Sequence, residues 1–294
     1  MKVCGFSFIR NAVLYDYPIR EAIASVLPLC DHFVIAVGAS DDNTLDMIQS
    51  IESTKIQIIK TEWDDSLRVG GEVLAAETNK AFQAIQGDYD WCIYIQGDEV
   101  IHEKYHDIIR EAMSGYASRK DIDGFLFNYL HFYGSYDYIA VASNWYRHEI
   151  RIIRNNKKIF SYRDAQGFRK EDNQKLNVVH IPAYIYHYGW VKPPSSMQAK
   201  QKTFQKLWHD DQWVTRNVAD SDTFDYSEID VLDRFTESHP EVMKQRIAQQ
   251  NWHFDRDLSL NRTTFKDRLK NMLNRYLGLD FSYRNYTVKE RMKS

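Results

Sequence analysis

Cysteines and long hydrophobic runs are scarce in this chain of 294 residues. The three cysteines, Cys4, Cys30 and Cys92, are an odd number without metal-site spacing, and we interpret them as buried, reduced thiols. No apolar run approaches the roughly 18 residues that a membrane-spanning helix needs. A secretory signal is not expected, because Arg10 interrupts the apolar stretch that such a signal requires. A reducing cytoplasm is therefore the expected compartment.

A strong excess of charge of either sign is also missing. The chain has 38 Lys and Arg against 41 Asp and Glu, a formal net charge of -3. Without a basic field it is not expected to bind nucleic acid. Apolar residues make up 44%, which excludes dominant disorder and supplies enough side chains for a large core.

Short apolar segments alternate with amphipathic ones through the first hundred residues. Such alternation is typical of βαβ units and a mainly parallel sheet, in which ligands bind beyond the carboxyl ends of the strands. Polar loops follow three of these strands, at 10–11, 40–43 and 96–99, so we expect them to meet at one crevice. The periodicity predicts strands over 2–9, 32–37, 56–59 and 91–95, and helices over 17–29, 45–51 and 69–85.

The pattern changes after residue 122. Strand-like pieces separated by aromatic-rich loops predict an antiparallel extension of the sheet, and after Pro193 and Pro194 the chain turns polar and helical. We therefore predict a body over residues 1–190 and a helical C-terminal extension over 195–294. The predicted strands of this part are 124–127, 149–153 and 178–188, and the predicted helices are 197–208, 231–249 and 264–277.

The segment WCIYIQGDEVIHE, residues 91–103, carries the sharpest chemical signal. An apolar strand runs directly into Asp98 and Glu99, and carboxylates at such a place are costly to bury unless they bind a cation or form an ion pair. Mg²⁺ and Mn²⁺ are held by one or two carboxylates together with substrate phosphates. The alternative from spacing alone is an exposed acidic turn that closes the strand.

The segment VIAVGASDDNT, residues 34–44, gives a second, weaker signal. Small residues after a strand let a nucleoside approach the backbone, and Ser40 and Asp42 can then accept hydrogen bonds from it. The same loop is equally consistent with the N-terminal cap of a helix, formed by Asp42 or Asn43.

FIRN (8–11), VGASDDNT (37–44) and YIQGDE (94–99) together resemble the bacterial family 2 glycosyltransferases, which have the GT-A fold. In that family the second loop reads close to D-N-G-S-T-D-G-T, and Ser40 and Asp42 match it while Val37 replaces the leading Asp. The metal motif is usually D-x-D; here Gln96 replaces its first Asp and Asp98 remains. The resemblance covers residues 1–190 and implies a nucleotide-binding mixed α/β sheet flanked by helices.

By this resemblance the chain transfers a sugar from a nucleotide-diphosphate donor to a hydroxyl acceptor. Asp98 would hold Mn²⁺ or Mg²⁺ against the donor diphosphate, and Arg10, Ser40, Asp42 and Gln96 would bind the donor. The acceptor would be a glycan or a lipid-linked molecule in cell-surface glycan synthesis, which implies peripheral contact with the inner face of the cell membrane. The basic stretch 266–293 is consistent with such a contact or with a solvated amphipathic helix packed on the body.

The segment YIYHYGWVKPP, residues 184–194, supplies further candidates. His187 is either a histidine of the core or, as in some GT-A enzymes, a late metal ligand that completes the shell beside a carboxylate. Lys192 and Lys200 either approach the diphosphate or lie on the solvated surface.

A carboxylate in the second half of the body is the expected general base. Inverting transfer needs a base that takes the proton of the acceptor hydroxyl, and family 2 members place it beyond the metal motif. Asp164 is the first choice, because it follows a predicted strand and precedes a glycine turn. The pair Glu171 and Asp172 is the second choice.

Two other function classes stay open. A sugar nucleotidyltransferase shares the nucleotide-binding half-sheet, although it ordinarily shows a glycine-rich, basic loop after the first strand. A non-catalytic nucleotide-sugar-binding relative is favoured by Val37 and Gln96, the two departures from the family motifs.

Overall fold

The computed structural model describes residues 1–64, 66–67, 69–142, 144–207, 211–217, 221–227, 229, 231–261 and 284–293. The strands are β1 (Val3–Ile9), β2 (His32–Gly38), β3 (Ile56–Thr61), β4 (Trp91–Tyr94), β5 (Glu99–Ile101), β6 (Gly124–Tyr133), β7 (Tyr138–Ala140), β8 (His148–Arg154), β9 (Ile159–Tyr162), β10 (Gly167–Lys170), β11 (Gln174–Trp190), β12 (Leu232–Arg234) and β13 (Tyr286–Arg291). The helices are α1 (Ile19–Val26), α2 (Thr44–Gln49), α3 (Glu72–Gln83), α4 (His106–Gly115), α5 (Pro194–Phe204), α6 (Asp211–Asn217) and α7 (Lys244–Ala248). Short 3₁₀ turns lie at Leu27–Leu29, Val69–Gly71, Glu103–Tyr105, Gln205–Leu207, Glu241–Met243 and Leu258–Leu260.

A mixed sheet forms the centre of the fold, in the order β3-β2-β1-β4-β8-β6-β11-β10-β9. The first four of these strands are parallel, which confirms the predicted βαβ half. The predicted antiparallel extension is only half right: β8 is antiparallel to β4 and β6, but β11 runs parallel to β6. The predicted α/β class, with helices flanking a mixed sheet, is confirmed.

Apolar side chains cover both faces of the sheet. On one face α1 and α4 contribute Ile23 and Met113 to a core that includes Phe125. On the other face α3 contributes Phe82, whose ring lies 5.3 Å from that of Phe6 on β1. Burial on both faces explains why the central strands read as continuous apolar runs in the sequence.

The C-terminal third differs from its predicted helices. The helix predicted over 231–249 is wrong in its first half, because Leu232 is buried in β12 opposite Ala140 of β7 and Pro240 restricts the chain before α7. The strand β13 was not predicted, and it pairs in parallel with β11. The helix predicted over 264–277 and the basic residues within it lie outside the described residues, and the division at residue 190 stays a prediction.

The three cysteines are buried thiols without disulfide bonds, as predicted. Burial raises the pKa of Cys4 to about 12, so this thiol is neutral and unreactive near neutral pH. Among the described residues, every helix is too short or too polar to cross a bilayer.

Candidate active site

A cavity of about 690 Å³ opens beyond the carboxyl ends of β1 and β4, where the alternating pattern predicted a crevice. Its lining brings together residues that are far apart in the sequence. Five of the predicted site residues contribute to this lining: Arg10, Gln96, Asp98, Asp164 and His187.

Asp98 and His187 face each other in this cavity. Asp98 lies in the turn between β4 and β5, and His187 lies near the end of β11, directly beside Glu99 of β5. The Asp98 Oδ2 atom is 3.8 Å from His187 Nε2 and 3.4 Å from the ammonium of Lys200. Only 8% of the surface of Asp98 and 9% of that of His187 is exposed to solvent. The carboxylate, the imidazole and the Lys200 ammonium therefore meet at a site with little access to water.

The surrounding charges keep Asp98 ionised. Burial alone would raise the pKa of this carboxyl, but the positive charge of Lys200, followed by His187 and Lys192, lowers it to about 2. Burial lowers the pKa of His187 to about 4, so the imidazole is neutral near pH 7 and Lys200 supplies most of the stabilisation. The site therefore presents an anionic oxygen and a neutral ring nitrogen to a ligand.

These two donor atoms fit a divalent cation. A Cβ atom at Gly189 would lie 2.6 Å from His187 Nε2 and 2.8 Å from Asp98 Oδ2, so the missing side chain leaves open the space between both donors. No three His, Cys, Asp or Glu side chains converge anywhere in the described part of the chain. A cation held here would therefore take its other ligands from water or substrate phosphate, as Mn²⁺ and Mg²⁺ do.

Glu99 holds in place the turn that carries Asp98. Its carboxylate forms two hydrogen bonds of 2.8 Å with Arg151, one from Nε and one from Nη2, and accepts a third of 2.8 Å from Tyr129. The main-chain N–H of Gln96 also donates to the Glu99 carboxylate, at 3.1 Å. Glu99 and Arg151 are both fully buried, so this ion pair fixes the turn that carries Asp98.

Gln96 reaches from the end of β4 to the loop that carries Asp164. Its side-chain nitrogen donates to the carbonyl of Ala165 at 3.2 Å and to the hydroxyl of Tyr94 at 3.3 Å. The neutral side-chain amide of Gln96 thus connects the end of β4 with the β9–β10 turn in the cavity wall. Its predicted contact with the donor stays a prediction.

The loop after β2 is held by its own side chains. Ser40 accepts a hydrogen bond from the Asn11 N–H at 3.1 Å, and Asp42 accepts one from the Leu14 N–H at 2.7 Å and one from the Thr44 N–H at 2.9 Å. These bonds tie the loop to the segment after β1 and to the first residue of α2, whose N-cap position is Asn43, without a side-chain capping hydrogen bond. The carboxylate of this loop that lines the cavity is the neighbouring Asp41, which the motif comparison did not select.

Trp63 forms an aromatic wall beside the end of β1. The Arg10 guanidinium lies 5.5 Å from the centroid of the Trp63 ring. The centroid of the Phe8 ring lies 5.9 Å from that of Trp63. The indole packs directly on Gly38, where an added Cβ would lie only 2.4 Å from Trp63 Nε1. The absence of a side chain at Gly38, the last residue of β2, therefore leaves the space that the indole ring occupies.

Asp164 lies in the tight turn between β9 and β10 and lines the cavity. The residues on either side of it, Arg163 and Ala165, have positive φ angles of 56° and 60°, so the turn holds the carboxyl in place. Burial raises the pKa of Asp164 above its usual value. The structure places Glu171 and Asp172 elsewhere: both are exposed in the turn after β10, and Glu171 pairs with Lys158.

Lys192 is fully buried next to the site. Its ammonium donates to the carbonyl of Asp16 at 2.9 Å and lies 4.3 Å from the centroid of the Tyr17 ring. Burial lowers its pKa well below the usual value. Lys192 thus anchors the loop that follows β1, whereas Lys200 and Lys206 line the cavity.

Sequence reasoning missed three residues that shape this site. Arg151 and Trp63 carried no motif, and Asp41 was overlooked beside Asp42. An arginine inside an apolar strand, in HEIRIIR, was the one available signal, because a buried arginine requires a buried acid.

No family model matches the chain, and no curated protein matches it either. Among solved structures it is similar to S. aureus TarS, with a TM-score of 0.38 at 13% identity over 69% of this chain and 39% of that chain. It is similar to 4-diphosphocytidyl-2C-methyl-D-erythritol synthase from Anaerococcus prevotii, with a TM-score of 0.38 at 9% identity over 65% of this chain and 89% of that chain.

A third similar structure is glucosyl-3-phosphoglycerate synthase from Mycobacterium tuberculosis in complex with Mn²⁺, UDP and phosphoglyceric acid. The TM-score is 0.30 at 18% identity over 45% of this chain and 43% of that chain. The chain thus spans less than half the length of this synthase and of TarS. Because these identities and TM-scores are low, we argue the function from the residues of the site alone.

Proposed function

We propose that this protein is a glycosyltransferase that moves a sugar from a nucleotide-diphosphate donor to a hydroxyl acceptor, with inversion and with the help of Mn²⁺ or Mg²⁺. One observation carries the proposal. Asp98, His187 and Lys200 meet in the cavity at the carboxyl ends of the parallel strands, and Asp164 lines the same cavity. This set combines groups that bind a diphosphate with a carboxylate that can accept a proton. A glycan or lipid-linked acceptor stays a prediction from the sequence resemblance.

The donor half of the proposed site lies along β1, β2 and β4. Lys200 can exchange its contact with Asp98 for one with a phosphate oxygen, because its stem already lies in the cavity wall. Arg10 and the Trp63 ring present a cation and an aromatic face to the nucleoside. Asp41 offers a carboxylate to the ribose or base from the adjoining loop.

The reaction step follows from these positions. The acceptor oxygen attacks the anomeric carbon while its proton passes to the Asp164 carboxylate, and the bond from that carbon to the diphosphate oxygen breaks. The bonding electrons leave with the nucleoside diphosphate, whose growing negative charge Lys200 stabilises. A divalent cation held by Asp98 and His187 would add Lewis-acid stabilisation of the same leaving group.

A panel of nucleotide sugars, offered with and without Mn²⁺, tests the proposed function. We expect slow release of nucleoside diphosphate from the correct donor, made faster by a hydroxyl acceptor and reduced by chelator. Formation of a nucleotide sugar from a nucleoside triphosphate and a sugar phosphate would identify a nucleotidyltransferase instead. Tight binding of a donor without any turnover would identify a non-catalytic binding protein.

Gly38→Ala tests the donor half of the site. The added methyl group would displace Trp63, so we expect weaker binding of whichever nucleoside diphosphate the wild type prefers, at least about 10-fold by calorimetry. Overpacking should also lower the free energy of unfolding by about 1–3 kcal/mol. Gly115→Ala is the matched control, since an added Cβ there meets no atom within 4 Å. Unchanged nucleotide affinity in Gly38→Ala would remove Trp63 from the donor site.

Asp164→Asn tests the base. We expect kcat to fall by about 10²–10⁴-fold with donor affinity unchanged, the range that a general base contributes. Because the base must be ionised and burial raises its pKa, kcat/KM of the wild type should fall on acidification through a pKa above 3.8. The residual activity of Asp164→Asn should lack that fall. Retention of the anomeric configuration in the product would contradict the single displacement.

A further inference from the structure

A second histidine, His131 of β6, is buried directly behind His187. The parallel pairing of β6 with β11 sets His131 beside His187, and their Nδ1 atoms are 3.0 Å apart. His131 is only 3% exposed, and its Nε2 atom lies 2.7 Å from the main-chain carbonyl oxygen of Tyr146. The function proposed above uses His187 but gives His131 no role.

The hydrogen bonds determine where the ring protons lie. The carbonyl oxygen of Tyr146 can only accept, so His131 Nε2 carries a proton and donates it. A neutral imidazole has a single ring proton, which leaves His131 Nδ1 as an acceptor. His187 must then donate from its own Nδ1, and its Nε2 atom is left with a lone pair.

A neutral His131 is consistent with its surroundings. Among the described residues no carboxylate lies within ion-pair distance of it, and a charged ring at this depth would lack a counter-ion. The ring is packed among aromatic neighbours, with centroid distances of 5.5 Å to Tyr129, 5.0 Å to Trp145 and 4.4 Å to Tyr146, so it has no room to turn.

We propose that His131 is a positioning residue that holds His187 in its Nδ1–H tautomer and so prepares Nε2 to bind a divalent cation together with Asp98. This inference rests on the proposed function. The bare Nε2 atom faces the Asp98 oxygen at 3.8 Å, and two acceptors without a proton between them repel each other. A cation in the space beside Gly189 turns that repulsion into two favourable bonds. Partners behind a ligating histidine typically change metal affinity about 10–100-fold.

Two substitutions of His131 separate the tautomer effect from packing. His131→Phe keeps a ring of similar shape but removes the acceptor, so we expect the Kd for Mn²⁺, measured by electron paramagnetic resonance, to rise about 10–100-fold. His131→Asn places an amide oxygen opposite His187 Nδ1 and should restore affinity to within a few-fold of the wild type. His180→Phe is the control, because His180 lies on β11 with His187 but is hydrogen bonded to Asn128 instead.

The tautomer itself is measured on the metal-free protein by ¹⁵N nuclear magnetic resonance of the imidazoles, with His187→Gln to assign the signals. We expect a protonated Nδ1 and a bare Nε2 in the wild type and in His131→Asn, and loss of that preference in His131→Phe. A protonated Nε2 of His187 in the wild type would overturn the inference, as would equal Mn²⁺ affinity in the wild type and His131→Phe. A wild type with the expected tautomer but no Mn²⁺ binding would overturn the ligand role of His187, and donor turnover without metal would then still support glycosyl transfer.

Discussion

Asp98→Asn is expected to lower the turnover number of the proposed glycosyl transfer at least about 10²-fold, the scale of losing one strong electrostatic contact at the leaving group. The substitution keeps the shape of the side chain but removes the charge that Lys200 faces and that the proposed divalent cation would face. Release of nucleoside diphosphate, followed by chromatography at saturating Mn²⁺, measures the effect. Asp46→Asn, an exposed carboxylate on α2, is the matched control and should leave turnover unchanged.

Gly189→Ala complements this variant without removing either donor atom. The added methyl group would lie within 3 Å of both Asp98 Oδ2 and His187 Nε2, so we expect Mn²⁺ binding to be lost. Near-normal turnover in Asp98→Asn, or full activity of the wild type in excess chelator, would contradict the metal role. Thermal melting of both variants shows whether a loss of activity reflects the site or the fold.

Arg151→Met is expected to lower the free energy of unfolding by about 3–5 kcal/mol, because it leaves the buried Glu99 carboxylate without its counter-ion. Both partners are almost completely buried, and two hydrogen bonds of 2.8 Å join them. Urea denaturation followed by circular dichroism measures the loss. Arg110→Met is the control: its ion pair with Asp107 is exposed and should contribute less than about 1 kcal/mol.

The double variant Arg151→Met/Glu99→Gln completes the cycle. Removing both charges leaves no uncompensated ion, so the double variant should be more stable than Arg151→Met alone. Equal stability of the two would show that desolvation of Glu99 is not the cause. We also expect Arg151→Met to lose Mn²⁺ affinity, because Glu99 holds the turn that carries Asp98.

Local patterns were enough for the parallel half of the fold. Strands β1 to β4 and the helices between them follow from apolar runs that alternate with amphipathic ones, since the interior of a parallel sheet selects such runs. The motif around Asp98 was also visible, because a carboxylate after a buried strand is chemically unusual. The strand β13 could not be recognised in the same way, since its exposed residues Lys289 and Arg291 are typical of a solvated surface.

The contacts of the candidate site residues could be identified only from the tertiary structure. His187 was identified as a candidate, but a histidine among tyrosines fits a core or a site equally well until Asp98 is found 3.8 Å away. Glu171 and Asp172 were the second choice for the base, yet their turn lies at the surface, whereas Asp164 is held at the cavity by the β9–β10 turn. Long-range pairs of this kind leave no periodic trace in the chain.

By itself the sequence determined the α/β class, the parallel direction of the first strands and the edge at which Asp98 and Arg10 lie. Periodicity and the position of polar residues after strands are local properties, and each can be read from a few neighbouring residues. Only the tertiary structure decided that Arg151 forms an ion pair with Glu99, that Trp63 packs on Gly38 and that His131 is hydrogen bonded to His187. Those relations join residues between 25 and 56 positions apart. The register of β6 with β11 makes His131 and His187 neighbours, and the other two contacts arise from packing between segments that are distant in the sequence.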